Sequence, residues 1–194
     1  QFFRMKTQVL IVSGGSENII WRSFISSEET FVIACDKGYS YAKNQNIVCD
    51  LILGDFDSYK GSIPQSAVLL PSKKDDTDTM FALKTALENG FKKIFITCAG
   101  GGRLDHFISN IQTLVYAKNQ GACAVYYDDE NEIYVLKNES MVFDKKEGYS
   151  FSVLSYSDVA KGVSIKGAEY PLEKSELTNS FPLGPSNSWK DKTC

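Results

Sequence analysis

Short apolar runs alternate with amphipathic stretches through the first two-thirds of the chain. Residues 9–12, 31–35, 51–53, 67–70, 94–97 and 122–127 are almost continuously hydrophobic, the pattern of strands buried on both faces of a parallel sheet. Residues 79–89 carry Met80, Leu83 and Leu87 at helical spacing. Asp76-Thr77-Asp78 supplies capping residues at the start of that stretch, and Gly90 stops it. Residues 107–119 place Ile108, Ile111, Leu114 and Val115 on one helical face, with Gly121 just past the end. Trp21, following Ile19-Ile20, also reads as helix core. Strand and helix in alternation predict an α/β fold: a mostly parallel sheet flanked by helices.

The texture changes near Asp128. Residues 132–136, 141–143, 149–154 and 163–165 are short strand candidates separated by Asn, Lys-Lys-Glu-Gly and Lys-Gly turns, and no long helical pattern follows. The expected organisation is an α/β domain over residues 1–127 and a small antiparallel β domain over 128–194. The chain reaches Cys194 without an obvious final strand, which leaves room for a further C-terminal segment.

Composition narrows the function classes. The 194 residues are 43% hydrophobic and 23% charged, ordinary for a folded domain and unlike a disordered or fibrous chain. No apolar run approaches the ~20 residues of a membrane helix, and the run at 9–12 is too short for a signal-peptide core. A net charge of -3 without a Lys/Arg block argues against a nucleic-acid partner. The expected location is the cytoplasm. Five cysteines with no C-x-x-C pair do not form a zinc or disulfide framework. With one histidine, His106, the chemistry has to run through carboxylates.

Those carboxylates fall at strand ends, where open α/β sheets bind ligands. Asp36 ends the second predicted strand, Asp55 and Asp57 follow the third, Asp75, Asp76 and Asp78 the fourth, and Asp105 the fifth. Clustered carboxylates repel unless a cation neutralises them, and Mg²⁺ takes oxygen ligands. In extended chain residues i and i+2 point the same way, so Asp55 and Asp57 are expected to share an ion while Phe56 packs behind them. Gly100-Gly101-Gly102-Arg103 stands between a strand and a helix. Backbone N–H groups there form an anion site, and Arg103 offers a bidentate phosphate contact. Ser13-Gly14-Gly15 after the first strand is a second, weaker candidate. Magnesium carboxylates beside a phosphate loop point to a nucleoside triphosphate enzyme.

In order along the chain, Asp36-Lys37-Gly38, Gly54-Asp55-Phe56-Asp57-Ser58, Lys74-Asp75-Asp76-Thr77-Asp78 and Gly101-Gly102-Arg103-Leu104-Asp105-His106 closely resemble the motifs of thiamine pyrophosphokinases. Pro185-Ser186-Asn187 resembles that family's Ser-Asn motif. The resemblance runs from about Val9 to the end. It implies an N-terminal α/β domain, a C-terminal β-sandwich that binds thiamine and forms the dimer, and a homodimer with active sites between subunits. It implies transfer of pyrophosphate from ATP to the hydroxyethyl group of thiamine, releasing AMP and thiamine diphosphate. Two positions depart from the family: Lys37 stands where a small residue is frequent, and the family's last strands would lie beyond Cys194.

Carried over residue by residue, the resemblance gives Asp55, Asp57 and Asp78 to Mg²⁺, with Asp36 as a fourth ligand. Asp36, Gly38, Lys74, Gly101, Gly102 and Arg103 would meet ATP. Asp105, Ser186, Asn187 and Trp189 would meet thiamine, Asp105 through the aminopyrimidine and Trp189 as a stacking face. By the same resemblance Asp55, Asp57, Asp78 and Arg103 would form the catalytic set. Asp76 is open between capping a helix and joining the site, and His106 reads as a supporting residue. Pyrophosphoryl transfer to another heterocyclic alcohol such as a hydroxymethylpterin, phosphate hydrolysis, and non-catalytic nucleotide sensing are the competing readings.

Overall fold

The computed structural model describes residues 6–57, 59, 61–71 and 75–194. Ser58 and Lys74, both in the motifs above, lie outside the described residues. Contacts divide the chain into two units, Gln1–Lys137 and Asn138–Cys194.

The first unit is a layered α/β body. Its strands are β1 (Gln8–Val12), β2 (Thr30–Cys35), β3 (Leu51–Gly54), β4 (Val68–Leu69), β5 (Lys93–Thr97), β6 (Cys123–Tyr127) and β7 (Glu132–Ile133). They form one sheet in the order β4-β3-β2-β1-β5-β6-β7. All neighbours are parallel except β7, which pairs antiparallel with β6. β1 and β2 are buried along their whole length, as the unbroken apolar runs require. Each fully buried Val, Leu or Ile there contributes about 1.5–3 kcal/mol.

Helices α2 (Asp78–Glu88) and α3 (Leu104–Asn119) cover one face through Ala82, Leu83, Ala86, Leu114 and Ala117. Helix α1 (Gly38–Asn44) contributes Ala42 to the core on the other face. Ile20, Ile25 and Trp21 join α1 there. The chain around Trp21 is not helical: Ile20 is pinned by its carbonyl, which accepts from the Tyr127 hydroxyl, and by its N–H, which donates to Gln45 Oε1 at 3.1 Å. The helix expected there is a packed loop.

β1 has β2 on one side and β5 on the other, so the winding reverses across it. A crevice opens at such a reversal, outside the carboxyl ends of the strands. Asp36 and Asp55 follow β2 and β3, and the glycine loop follows β5.

The division between units falls after Lys137 rather than at the expected 127/128, because β7 extends the edge of the first sheet. In the second unit β8 (Val159–Ile165) and β9 (Leu172–Thr178) pair antiparallel. Beyond them, isolated bridges join Asp144 to Thr193, Phe151 to Asn187 and Ala168 to Trp189. The strands expected at 141–143 and 149–154 are thus single antiparallel contacts, with Phe143 and Cys194 exchanging N–H···O bonds at 2.7 and 2.9 Å. The small antiparallel unit is present as one two-stranded sheet plus these bridges. Among the described residues, no helix is long and apolar enough to cross a membrane.

Candidate active site

Three carboxylates converge at the sheet's carboxyl edge. Asp36 leaves β2 with a positive φ of 46°, its N–H donating to Leu53 O at 3.0 Å. That turn aims its carboxylate across β3, where Oδ1 accepts from Phe56 N at 3.0 Å. Gly54 makes the approach possible: its φ is 151°, and a Cβ there would collide with the Asp36 carboxylate. Asp55 follows immediately. Asp78 opens α2, whose N-cap Thr77 accepts from Met80 N at 3.2 Å. Ser13 and Thr79, both buried, join the end of β1 to the start of α2 through hydroxyls 2.6 Å apart. Ligand oxygens of Asp36, Asp55 and Asp78 lie within 4.8 Å of one another.

Such crowding raises the cost of ionising Asp36. Asp36 is pushed up to about 7, first by burial, then by its hydrogen bond to Asp78 and the charges of Asp78 and Asp55. A hard divalent ion would relieve the same stress, since the donors are all carboxylate oxygens; the set is consistent with a metal site.

Asp57 is placed differently from the expectation. Phe56 is left-handed, with φ 54°, and buried against Tyr59, so the chain is not extended and Asp55 and Asp57 do not share a face. Asp57 is exposed, its N–H donating to Asp55 Oδ1 at 3.2 Å. Asp75 is exposed as well, and Asp76 pairs with Lys84 at 2.7 Å instead of capping α2. Gly38 is buried where α1 starts against the carbonyls of Val12 and Ser13, which leave no room for a side chain; Lys37 beside it is exposed.

Beyond β5 the chain turns at Cys98 (φ 55°) into Gly101 (φ 76°) and Gly102 (φ 65°). Arg103 is the N-cap residue of α3, and Asp105 sits in its first turn. The two pair bidentately, at 3.1 and 2.6 Å. The Arg103 hydrogen bond holds the Asp105 carboxyl below the usual carboxylate range. His106 is exposed.

In the second unit, Ser186 is exposed with φ 59°, its N–H donating to Ser152 Oγ at 3.1 Å. Asn187 is buried, and its amide is spent within the unit. Oδ1 accepts from Tyr170 N at 3.0 Å and Ser188 N at 2.9 Å, while Nδ2 donates to Tyr170 O at 2.7 Å. Trp189 Nε1 donates to Phe143 O at 3.2 Å, and its ring meets Phe151 edge-on. Asn187 and Trp189 therefore build the loop that displays Ser186. Ser16 and Asn110, both bonded to the glycine loop, are absent from the sequence expectations; only the weak Ser13-Gly14-Gly15 signal lay near either.

Residues 23–126 match the family described as thiamin pyrophosphokinase, catalytic domain. Over 192 residues the chain is 31% identical to thiamine pyrophosphokinase of Bacillus subtilis, covering 94% of this chain and 89% of that protein. The crystal structure of thiamine pyrophosphokinase from Bacillus subtilis superposes with a TM-score of 0.84 at 27% identity, covering 96% of this chain and 91% of that one. The thiamin pyrophosphokinase structure from Geobacillus thermodenitrificans, 24% identical, shares the fold with a TM-score of 0.81 over 96% and 90% of the two chains.

Proposed function

The chain belongs to the thiamine pyrophosphokinase family, and from that premise we propose how its own residues carry the transfer of pyrophosphate from ATP to the hydroxyethyl group of thiamine. The observation that carries this reading is the Asp36–Asp55–Asp78 cluster on the same sheet edge as the Gly101-Gly102-Arg103 loop. It is a metal-type oxygen set beside an anion-type loop.

Asp36, Asp55 and Asp78 would hold Mg²⁺, and Asp57 is assigned to the metal by its motif alone. An ion held there would supply positive charge to offset the negative charge that develops as pyrophosphate is transferred. Gly101 and Gly102 offer backbone N–H groups to the phosphates, and Arg103 its planar fork. Lys74 is assigned to phosphate by its motif. Asp105 accepts a hydrogen bond from the exocyclic amine of the pyrimidine, and Ser186 is assigned to thiamine by its motif alone. The thiamine hydroxyl oxygen, releasing its proton to solvent, forms its bond to the β-phosphorus as the bond from the β-phosphorus to the α,β-bridging oxygen breaks. AMP leaves, and positioning supplies most of the rate.

A homodimer is part of the same reading. The second unit leaves Leu154, Phe181 and Leu183 exposed around a shallow cavity of about 220 Å³, a surface a second copy would bury. The five free cysteines suit a reducing compartment, and the cytoplasm is proposed as its location. Incubation with ATP, Mg²⁺ and thiamine, followed by mass analysis, tests the function. AMP and thiamine diphosphate in equal amounts are expected. AMP or ADP formed without thiamine would make it a hydrolase, and inertness a sensor.

A further inference from the structure

The loop after β5 is held from the protein side at three successive carbonyls. Gly15 N donates to Cys98 O at 2.7 Å, Asn110 Nδ2 to Ala99 O at 2.7 Å, and both N–H and Oγ of Ser16 to Gly100 O at 2.9 Å. Peptide units are planar and trans here, so each carbonyl direction also fixes the opposite direction of the next residue's N–H. The bond to Ala99 O sets the N–H of Gly100, and the bonds to Gly100 O set the N–H of the exposed Gly101. The fit is close, since a Cβ at Gly101 would lie 2.8 Å from Ser16 Oγ. Asn110 is among the few buried polar side chains of the unit. Neither Ser16 nor Asn110 carries charge to offer a substrate.

We propose that Ser16 and Asn110 are positioning residues for phosphate capture: they set the tilt of the glycine loop's peptide planes so that its N–H groups meet the triphosphate already aimed. This rests on the reading of that loop as the ATP phosphate site. It also gives the Ser13-Gly14-Gly15 segment a role as the buttress of the phosphate site rather than a second one. Held donors cost no reordering when the anion arrives, and small misplacements in such sites are expensive.

The test separates the two substrates. Asn110→Ala should raise the KM for ATP about tenfold, the worth of one lost buried hydrogen bond, with the KM for thiamine within about twofold. Ser16→Ala, which keeps the backbone bond, should raise the KM for ATP about threefold, and Ser16→Thr should restore it. Loss of structure alone would lower the active fraction without favouring one substrate. Equal rises for ATP and thiamine, or no rise for ATP, would overturn the proposal. If Asn110→Ala fails to fold, the Ser16→Ala and Ser16→Thr pair decides by the same criterion. A wild-type enzyme unable to make thiamine diphosphate would overturn the functional reading instead, which distinguishes the two failures.

Discussion

Arg103 and Asp105 form a two-pronged pair, Nε to Oδ1 at 3.1 Å and Nη2 to Oδ2 at 2.6 Å, so the residue assigned to phosphate grips the residue assigned to thiamine. Both side chains are largely exposed, and water screens the attraction between them. Either partner is therefore available to a better-placed ligand.

Arg103→Ala should weaken binding of a non-hydrolysable ATP analogue first, and Asp105→Ala should weaken thiamine first. An amine hydrogen bond left unmade is expected to cost thiamine roughly tenfold in affinity. Calorimetric titration of each variant with each ligand checks this. Lost nucleotide affinity with retained thiamine affinity in Asp105→Ala would reverse the assignment.

The carboxylates should differ in kind. Asp55→Asn and Asp78→Asn each remove a member of the clustered set, and turnover should fall on the order of a hundredfold or more at every Mg²⁺ concentration. Asp57→Asn removes an exposed carboxylate outside the cluster, and its loss should be recovered by excess Mg²⁺. Activity across a Mg²⁺ titration, beside a thermal melt that shows the fold intact, measures both. Activity of Asp55→Asn within threefold of wild type would remove it from the metal site.

Acid should stabilise the metal-free protein through Asp36. Its ordinary value is 3.8 and burial with Asp78 raises it to about 7, so between these values the folded state binds the extra proton. The contribution is complete below pH 4 and is lost as pH rises through about 7. In chelator, the melting temperature of wild type relative to Asp36→Asn should decline across that window. A difference independent of pH would show that Asp36 does not hold the proton.

Asn187 and Ser186 should separate structure from binding. Asn187→Ala strands the Tyr170 N–H and carbonyl that its amide engages and should cost about 1–3 kcal/mol in stability. Ser186→Ala should leave melting unchanged and raise the KM for thiamine. A stable Asn187→Ala protein with impaired thiamine binding would restore Asn187 to the ligand.

The central sheet was legible because Val9, Ile33 or Ile94 lies in a run with no polar face, which only a buried strand tolerates. Helix α1 escaped notice because among its residues only Gly38 and Ala42 are buried, too few for a periodic signal. Strands β8 and β9 carry Lys161, Glu173 and Glu176 at largely exposed positions, so neither the length of the first nor the existence of the second stands out. At the site, Asp36, Asp55 and Asp78 were readable from their places after strands and before a helix. The divergence of Asp57 depends on one backbone dihedral at Phe56, and the roles of Ser16 and Asn110 depend on contacts far apart in sequence. No spacing rule encodes either.

The most direct test of the central claim follows the phosphorus atoms. With ATP labelled separately at its α and β positions, Mg²⁺ and thiamine, all β label should appear in thiamine diphosphate and all α label in AMP, with no thiamine monophosphate at any time. Release of ADP together with thiamine monophosphate would mean that the γ-phosphate alone is transferred, and would contradict attack at the β-phosphorus.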